Sequence, residues 1–392
     1  MPTAKNKKNK PQYNYIACTF QGGGALGSYQ AGVLHALDEA GYYPNWFVGT
    51  SIGAINAAIA AGNPENLRVE KMYQFWEAIA THNMMPAFDL TETIPMRRVE
   101  HLLAAHSSLF FGQPGFFSPR FPLPEMNVHN RADQISYYDT SPLRSTLEQF
   151  VDFDRINSKK VTRLSVGAVE ISSGEMIYFD SHQEKIGPEH IMASGAIPPS
   201  FPAVEVNGKF YWDGGISNNT PISHILGNQE QKHVLCFMVN LFNSYGLNPT
   251  NLDEIMKRKK DIEFSSKFNK IITLYQQIQE LKNSIHLLSQ YVPHSERSKP
   301  ELKLCMSRGH QSTISLVHFL YQEDISELSS KDYEFSYKTI KERMAKGYQD
   351  GKKAAKLAPW LQPISATEGI AIHEMAPIKT LKKEDNHERS SS

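Results

Sequence analysis

The sequence predicts an α/β fold with a mainly parallel central sheet. Apolar runs of strand length alternate with helical patterns in the first sixty residues. The run Tyr15–Phe20 leads through a glycine loop into a helical pattern from about Ser28 to Ala40, and a second apolar run ends at Val48 before another helical pattern. This β-α-β-α order places successive strands parallel and packs the helices against the sheet. With 392 residues and 40% hydrophobic content, the chain can bury a substantial core.

Composition excludes several classes of function. The formal net charge is zero, so no global field attracts nucleic acid or an anionic membrane, and any lipid contact has to be local. The three cysteines, Cys18, Cys236 and Cys305, are far apart and form no paired or clustered motif. We therefore expect no disulfide framework, no metal site, no cofactor and no nucleic-acid partner.

The sequence leads us to expect neither a secretory signal at its start nor a transmembrane span. The first ten residues are basic but lead into Pro11 rather than an apolar stretch, so they do not form a secretory signal. Apolar runs such as Val234–Val239 are strand-sized, whereas a spanning helix needs about 20 residues. We expect a basic flexible segment over 1–14 and a cytoplasmic or peripheral membrane protein, with export without a signal peptide left open.

A short motif at the second strand end has the form of a nucleophile elbow. Ser51 stands between Gly49 and Gly53 in the pattern G-x-S-x-G, directly after an apolar run and before a helical one. Glycines at these positions let the strand and the helix pass closely, and the turn exposes the serine hydroxyl at a helix N-terminus. The alternative is an ordinary strand-to-helix turn with a capping serine.

The glycine loop after the first strand has two interpretations. Gly22, Gly24 and Gly27 satisfy the G-x-G-x-x-G pattern of dinucleotide-binding folds. Those folds also place an acidic residue at the end of the second strand, where this chain has Val48 and Gly49. Backbone N–H groups of Gly22, Gly23 and Gly24 could instead bind the oxyanion of an acyl-transfer reaction.

A third motif, at residues 213–215, follows a group of predicted strands that begins at Arg163. Runs at Arg163–Glu170 and Met176–Asp180 predict strands, a short helix fits 190–196, and the Asn207-Gly208 turn predicts a hairpin. Asp213, Gly214 and Gly215 follow the second hairpin strand. An aspartate there could accept a serine proton, or the three residues could form only a turn.

Together these motifs closely resemble the patatin-like phospholipase family. The resemblance extends from about Tyr15 to Asn240, and it rests on the glycine loop, the serine motif, the stretch 193–203 and the Asp-Gly-Gly motif, in that order. It implies a three-layer α/β/α fold and a lipid acyl hydrolase of the phospholipase A or lysophospholipase type. By motif matching, Ser51 would be the nucleophile, Asp213 the base, and Gly22, Gly23 and Gly24 the oxyanion hole, with Gly49, Gly53, Gly214 and Gly215 supporting the motifs.

Two positions depart from the family's usual pattern. Members often begin the loop with aspartate and carry a basic residue before its last glycine, whereas this chain has Gln21 and Leu26. Backbone donors are unaffected by either change. The expected substrate is a phospholipid or another lipid ester, and the expected partner surface is a membrane contacted peripherally.

Two alternatives to the Ser-Asp mechanism stay open. A Ser-Asp-His esterase would need a histidine after Asp213, and the candidates are His224, His233, His286, His294, His310 and His318. The other alternative is a lipid- or protein-binding module that kept the fold but hydrolyses poorly.

Outside the four motifs, two regions have a distinct composition. Residues 84–142 are rich in proline and aromatic residues, including the pairs Phe110-Phe111 and Phe116-Phe117, with little helical periodicity after Ala105. This segment is either a cap that touches lipid or an irregular insertion whose aromatic side chains pack on the core.

The region 241–375 resembles the C-terminal extension of a bacterial subgroup of the family. Its patterns predict a long amphipathic helix over 252–291, a strand over 313–321 that extends the main sheet and a helix over 332–357. Residues 376–392 are highly charged and are expected to be disordered.

Overall fold

The structure is a computed structural model that describes residues 13–81, 93–121, 131–158, 161–227, 233–265, 268–309, 312–362, 364 and 369–375. Most of the predicted flexible segment 1–14 and all of the predicted disordered tail 376–392 lie outside the described residues. The same holds for 84–92 and 122–130 of the predicted cap.

The strands form one large sheet and one short hairpin-like pair. Three of them, β1, β5 and β6, have the bounds that the sequence predicts, because each is a compact apolar run bounded by turn residues. In chain order the strands are β1 Tyr15–Phe20, β2 Trp46–Thr50, β3 Ser118–Pro119, β4 Tyr138–Asp139, β5 Arg163–Glu170, β6 Met176–Asp180, β7 Val204–Val206, β8 Lys209–Asp213, β9 Val234–Asn240, β10 Ile314–Leu320 and β11 Ile370–Glu374.

Within the described residues, nine strands share the main sheet. Its order is β11-β10-β9-β1-β2-β5-β8-β7, with β6 also paired to β5. The neighbours from β11 to β5 are parallel, and the pairs that involve β6, β7 and β8 are antiparallel. The carboxyl ends of β1 and β2, which carry the glycine loop and Ser51, therefore lie side by side at one edge of the sheet.

Helices connect these strands and cover both faces of the sheet. They are α1 Ser28–Glu39, α2 Ile52–Gly62, α3 Arg68–Ala78, α4 Ile94–Phe111, α5 Ser141–Phe150, α6 Phe153–Asn157, α7 Pro188–Ser194, α8 Gly215–Asn218, α9 Ile222–Gly227, α10 Leu252–Ser265, α11 Phe268–Gln290, α12 Pro300–Arg308 and α13 Tyr337–Leu357.

Strand residues alternate between two apolar cores, one on each face of the sheet. Phe20, Phe47 and Phe237 belong to the core beneath α1, α2, α3 and α13. Their neighbours Val48 and Cys236 belong to the other core, which lies under α9 and α11. Because successive strand side chains point to opposite faces, strands buried on both sides read as continuous apolar runs. The three-layer α/β/α fold with a mainly parallel sheet is confirmed.

Elements that follow Asn240 take part in the same sheet and the same layers. β10 pairs in parallel with β9, and β11 pairs in parallel with β10. The region is otherwise mostly helical, as predicted, and α13 packs along α1. The division of the chain at Asn240 into a catalytic part and an extension stays a prediction.

Two boundaries differ from the sequence prediction. The stretch 252–291, expected to be one long helix, contains α10 and α11, and residues 266 and 267 between them lie outside the described residues. α13 begins at Tyr337 because the Ser336 side chain caps its N-terminus, so residue 332 precedes the helix. α4 continues past Ala105 and ends at Gly112, whose φ of 79° stops a helix.

Candidate active site

Ser51 occupies a sharp turn between β2 and α2. Its φ of 57° and ψ of −127° are outside the regions that side-chain-bearing residues favour. Its backbone N–H donates hydrogen bonds to the Ser194 carbonyl oxygen at 3.1 Å and to the Ser194 Oγ at 3.0 Å. These bonds hold a turn that the local sequence alone would not favour.

The flanking glycines are needed because backbones approach closely on both sides of Ser51. A Cβ at Gly49 would lie 2.2 Å from the Gly53 carbonyl oxygen, and one at Gly53 would lie 2.2 Å from the Phe20 carbonyl oxygen. Any larger residue would push the strand and helix apart. The G-x-S-x-G spacing is therefore a steric requirement of this turn.

The structure brings Asp213 to Ser51. Asp213 ends β8, is 3% exposed, and lies with Ser51 in the wall of one cavity. The Gly215 N–H donates to its Oδ1 at 2.6 Å. Burial raises the pKa of the Asp213 carboxyl from 3.8 to about 6, and the Ser51 hydroxyl and the Gly215 N–H oppose this rise. The carboxylate is thus ionised at neutral pH and more basic than an ordinary aspartate.

Gly214 and Gly215 lack side chains at two positions where a Cβ would meet neighbouring atoms near Asp213. A Cβ at Gly214 would lie 2.5 Å from the Gly167 carbonyl oxygen, and one at Gly215 would lie 3.0 Å from the Asp213 Oδ1. A side chain at Gly215 would therefore crowd the carboxylate that the Gly215 amide binds.

The glycine loop lies directly beside Ser51. A Cβ at Gly22 would lie 2.9 Å from the Ser51 Cβ, and Gly24 has a φ of 55°. Asn219 Nδ2 donates to the Gly22 carbonyl oxygen at 3.1 Å and fixes the loop's orientation. Among the described residues, none accepts a hydrogen bond from the N–H groups of Gly22, Gly23 or Gly24. These donors are available to a ligand at Ser51.

Gln21 fixes the loop from its buried end, a role that the sequence did not indicate. Its Oε1 accepts hydrogen bonds from the N–H groups of Leu241 at 2.5 Å and Phe242 at 3.1 Å. Its Nε2 donates to Thr220 Oγ1 at 2.8 Å and to the Phe264 carbonyl oxygen at 3.1 Å. Because the Gln21 amide has both an acceptor and a donor, it links the glycine loop to three other segments. These segments are the residues after β9, the residues after α8, and helix α10.

Leu26, the other departure from the family pattern, is fully buried in the core beneath α1. An apolar side chain suits this position because a charged one would lose its hydration without gaining a partner.

Ser51 and Asp213 open into a cavity with mainly apolar walls. Its empty volume is about 890 Å³, part of which is open to solvent. The apolar side chains of its walls come from the sheet helices, the predicted cap and the region after Asn240: Ile52, Ile55, Phe116, Phe117, Leu143, Met192, Ile197, Phe201, Phe242, Phe264 and Phe335. The last three were not predicted, because nothing local in the sequence links them to the serine motif.

The candidate histidines lie elsewhere. Within the described part of the chain, no histidine lines the cavity around Ser51. His224 contacts Asp180 Oδ2 at 3.3 Å and stacks on Tyr178, and His318 contacts Glu374 Oε2 at 2.6 Å. His310 is outside the described residues.

The described residues offer neither a metal-binding cluster nor a membrane-spanning helix. They contain no group of three or more His, Cys, Asp or Glu side chains arranged to hold a metal ion. None of the helices in the described ranges combines the length and the apolar character that crossing a membrane requires.

Comparison with known proteins identifies the family. The sequence model described as patatin-like phospholipase matches residues 19–226, more than half of the chain. The chain belongs to the patatin-like phospholipase family. A second model, of a domain of unknown function described as patatin phospholipase, matches residues 262–367. The region after Asn240 thus resembles patatin phospholipases as well.

Individual relatives match over short segments. Patatin-like phospholipase domain-containing protein 6 of Mus musculus is 38% identical over 78 residues, which are 20% of this chain and 6% of that protein. A patatin-like phospholipase domain-containing protein of Caenorhabditis elegans is 32% identical over 138 residues, 35% of this chain and 9% of that protein. The matches therefore span less than a tenth of the length of these curated relatives.

Two solved structures align with this chain at low sequence identity. VipD from Legionella pneumophila aligns over 88% of this chain and 67% of its own, with 12% identity and a TM-score of 0.36. Full-length ExoU of Pseudomonas aeruginosa, solved with SpcU, aligns over 68% of this chain and 53% of the matched chain, with 14% identity and a TM-score of 0.28.

Proposed function

We propose that this protein is a serine acyl hydrolase that cleaves carboxylic ester bonds of lipids, of the phospholipase A or lysophospholipase type. The observation that carries the proposal is the position of Ser51 beside a buried Asp213 carboxylate whose pKa it lowers, next to an apolar cavity and to glycine N–H groups that have no acceptor among the described residues. Nucleophile, base, oxyanion donors and an acyl site are the parts that ester hydrolysis requires.

In the first half of the reaction, the acyl group moves to Ser51. The Ser51 Oγ forms a bond to the ester carbonyl carbon while its proton passes to the Asp213 carboxylate. The N–H groups of Gly22, Gly23 and Gly24, together with the Ile52 amide, stabilise the oxyanion. When the tetrahedral intermediate collapses, the bond to the alcohol oxygen breaks and Asp213 returns the proton to the departing alcohol.

In the second half, water replaces the alcohol. Asp213 takes a proton from the water as its oxygen bonds to the acyl carbon, the same N–H groups stabilise the second oxyanion, and the bond to Ser51 Oγ breaks. Asp213 passes its proton to the departing Ser51 Oγ, so the fatty acid leaves, the Ser51 hydroxyl is restored and Asp213 is again ionised. A base with a pKa of about 6 suits this role, because it is ionised at neutral pH but still accepts a proton readily.

The apolar cavity is the proposed site of the acyl chain. Its phenylalanine, isoleucine and methionine walls exclude water and bury methylene groups, each worth about 0.8 kcal/mol. A dry cavity also strengthens the hydrogen bonds to the oxyanion.

A membrane contact through α4 is part of the same proposal. Exposed apolar side chains recur on one face of this helix at intervals of three and four residues, namely Met96, Val99, Leu103 and Phe110, with Leu102 and Phe111 beside them. The opposite face is buried at His101, Ala105 and Ser108. The chain after α4 leads within a few residues to Phe116 and Phe117 in the cavity wall, so a lipid surface on this face would lie near Ser51.

The proposal is tested by incubating purified variants with a mixed lipid extract and measuring released fatty acids by mass spectrometry. We expect Ser51→Ala and Asp213→Asn each to lower hydrolysis by at least ~10³-fold, because each removes one member of a cooperating unit. Asp154→Asn, which changes an exposed carboxylate on α6, is the matched control and should retain activity. Near-normal turnover in Asp213→Asn would contradict the assignment of the base.

Chelation is a second check on the same proposal. Backbone donors of the glycine loop already provide the oxyanion contacts, so activity should persist in EDTA. Activity that is lost in EDTA and restored by calcium would show that a metal ion holds the oxyanion instead.

A further inference from the structure

A second cavity adjoins the one that contains Ser51. It is lined in part by the same residues, Ile197, Gly215, Asn219 and Phe264, and its empty volume is about 910 Å³, including space open to solvent. Gly215 and Asn219 are also the residues that contact Asp213 and the glycine loop. The second cavity is therefore separated from the one that contains Ser51 only by a shared wall.

The two cavities differ in chemistry. The first is dominated by aliphatic and aromatic side chains. The second carries Trp212 and Phe268 with the carboxylate of Glu263. Among the described residues that line either cavity, none is lysine, arginine or histidine.

Glu263 has no ion-pair partner among the described residues, whereas Asp332 in the first cavity has one. Asp332 lines the first cavity and accepts a hydrogen bond from Lys260 Nζ at 2.5 Å, so its charge is balanced. Within the described residues, the Glu263 carboxylate has neither an ion-pair nor a hydrogen-bond partner. The second cavity thus has an exposed carboxylate without an ion-pair partner among the described residues, and this carboxylate lies beside aromatic rings.

We propose that the second cavity receives the alcohol half of the lipid ester and selects a polar end with a cationic ammonium group over a net anionic one. This inference rests on the proposed function and names its substrate class. An ammonium group is stabilised both by a carboxylate and by the faces of aromatic rings. A net anionic headgroup would meet the negative charge of Glu263 and find no cationic side chain among the lining residues.

The selecting residues lie outside the motifs that identify the nucleophile. Glu263 and Phe264 belong to α10, and Phe268 begins α11. Gln21 is hydrogen-bonded to the Phe264 carbonyl oxygen, which ties this wall to the glycine loop. The region after Asn240 would therefore decide which lipid is cleaved, while the region before it carries Ser51 and Asp213.

The test compares lysolipids with one common acyl chain and different polar ends: lysophosphatidylcholine, lysophosphatidylglycerol and monoacylglycerol, each at low mole fraction in neutral detergent micelles. For the wild-type protein we expect kcat/KM to be at least about tenfold higher for the choline lipid than for the anionic glycerol lipid. Glu263→Lys should shift this ratio toward the anionic lipid by at least about tenfold, and Glu263→Gln by a smaller factor in the same direction.

The controls separate failure of this inference from failure of the proposed function. Glu301→Lys makes the same change in net charge on α12, outside both cavities, and should change the ratio less than about twofold. Hydrolysis of a short uncharged ester by Glu301→Lys should equal that of the wild-type protein. A ratio that Glu263→Lys leaves unchanged, or a wild-type preference for the anionic lipid, would overturn the headgroup assignment alone. Full activity of Ser51→Ala on every lipid would overturn the proposed function.

Discussion

At the scale of the residue, the site depends on Ser51 and Asp213, and each is held in an arrangement that lowers the stability of the folded protein. Ser51 has a backbone conformation that favours glycine, with φ of 57° and ψ of −127°. Asp213 is a carboxylate with 3% exposure whose charge is compensated only by hydrogen bonds. Conformational strain and buried charge are both typical of functional sites, because the surrounding fold has to enforce them.

Backbone strain at Ser51 can be isolated by comparing two substitutions. Ser51→Ala and Ser51→Gly both remove the hydroxyl, but only glycine relieves the strain of the positive φ. We expect the glycine variant to be more stable than the alanine variant by about 1 kcal/mol or more, measured by urea denaturation. Equal stability, or a more stable alanine variant, would show that the turn is not strained.

The buried charge of Asp213 predicts a pH-dependent gain in stability for Asp213→Asn. The folded protein retains the proton up to a pH of about 6, whereas the unfolded chain loses it near 3.8. Native stability of the wild type therefore falls as pH rises from about 4 to about 6, by on the order of 1–3 kcal/mol. Denaturation curves should show a more stable asparagine variant at pH 7.5 and a shrinking difference toward pH 4. A difference that is constant with pH would contradict this account.

At the scale of the element, the structure gives the two phenylalanine pairs of the predicted cap different environments. Phe110 and Phe111 end α4 with 71% and 81% of their surfaces exposed. Phe116 and Phe117 are 9% and 3% exposed and contact Phe201 in the cavity wall. The sequence left lipid contact and core packing open for both pairs. Spacing alone could not separate them, because the change of direction at Gly112 decides which pair turns inward.

Serine substitutions of each pair should therefore have opposite effects. Replacing Phe110 and Phe111 should weaken binding to phospholipid vesicles by about tenfold or more while sparing stability, because partial burial of two rings in lipid is lost. Replacing Phe116 and Phe117 should cost several kcal/mol of unfolding free energy and impair cleavage of a short soluble ester. Vesicle co-sedimentation, thermal melting and ester hydrolysis distinguish these results. If the first pair lowered stability as much as the second, lipid docking by α4 would be wrong.

The local sequence predicted strands of the sheet that carries the motifs, but it did not predict which distant residues form the wall of the cavity around Ser51. Strands β1, β5 and β6 were predicted at their observed bounds because their apolar runs and turn residues are local signals. The placement of Ser51 near Asp213 was implied by a family resemblance, not by spacing. The contributions of Phe242, Phe264 and Phe335 to the cavity depend on contacts between distant segments, which periodicity does not encode.

At the scale of the whole molecule, the last long helix is packed into the fold through backbone contacts. A Cβ at Gly32 of α1 would lie 1.9 Å from the Met344 carbonyl oxygen, and one at Gly347 of α13 would lie 2.1 Å from the Tyr29 carbonyl oxygen. Tyr29 also donates a hydrogen bond to Asp350 Oδ2 at 2.9 Å. The region after Asn240 thus contributes strands β10 and β11 to the sheet, part of the cavity wall, and helix α13, which packs against α1.

This close packing predicts that Gly347→Val destabilises the entire protein. The added side chain would force α1 and α13 apart, and we expect a loss of about 3 kcal/mol or more in unfolding free energy. Ala345→Val on the exposed face of α13 is the matched control and should cost less than about 1 kcal/mol. Chemical denaturation measures both. Equal small losses would mean that the C-terminal region is not integral to the fold.

The most direct test of the Ser51–Asp213 mechanism is the pH dependence of covalent labelling by a fluorophosphonate, with the modified residue located by peptide mass spectrometry. We predict an adduct on Ser51, a labelling rate that rises through an apparent pKa near 6 and is constant above it, and a loss of at least ~10²-fold in Asp213→Asn. An adduct on another residue, or an Asp213→Asn variant that is labelled at the wild-type rate, would contradict the proposed mechanism.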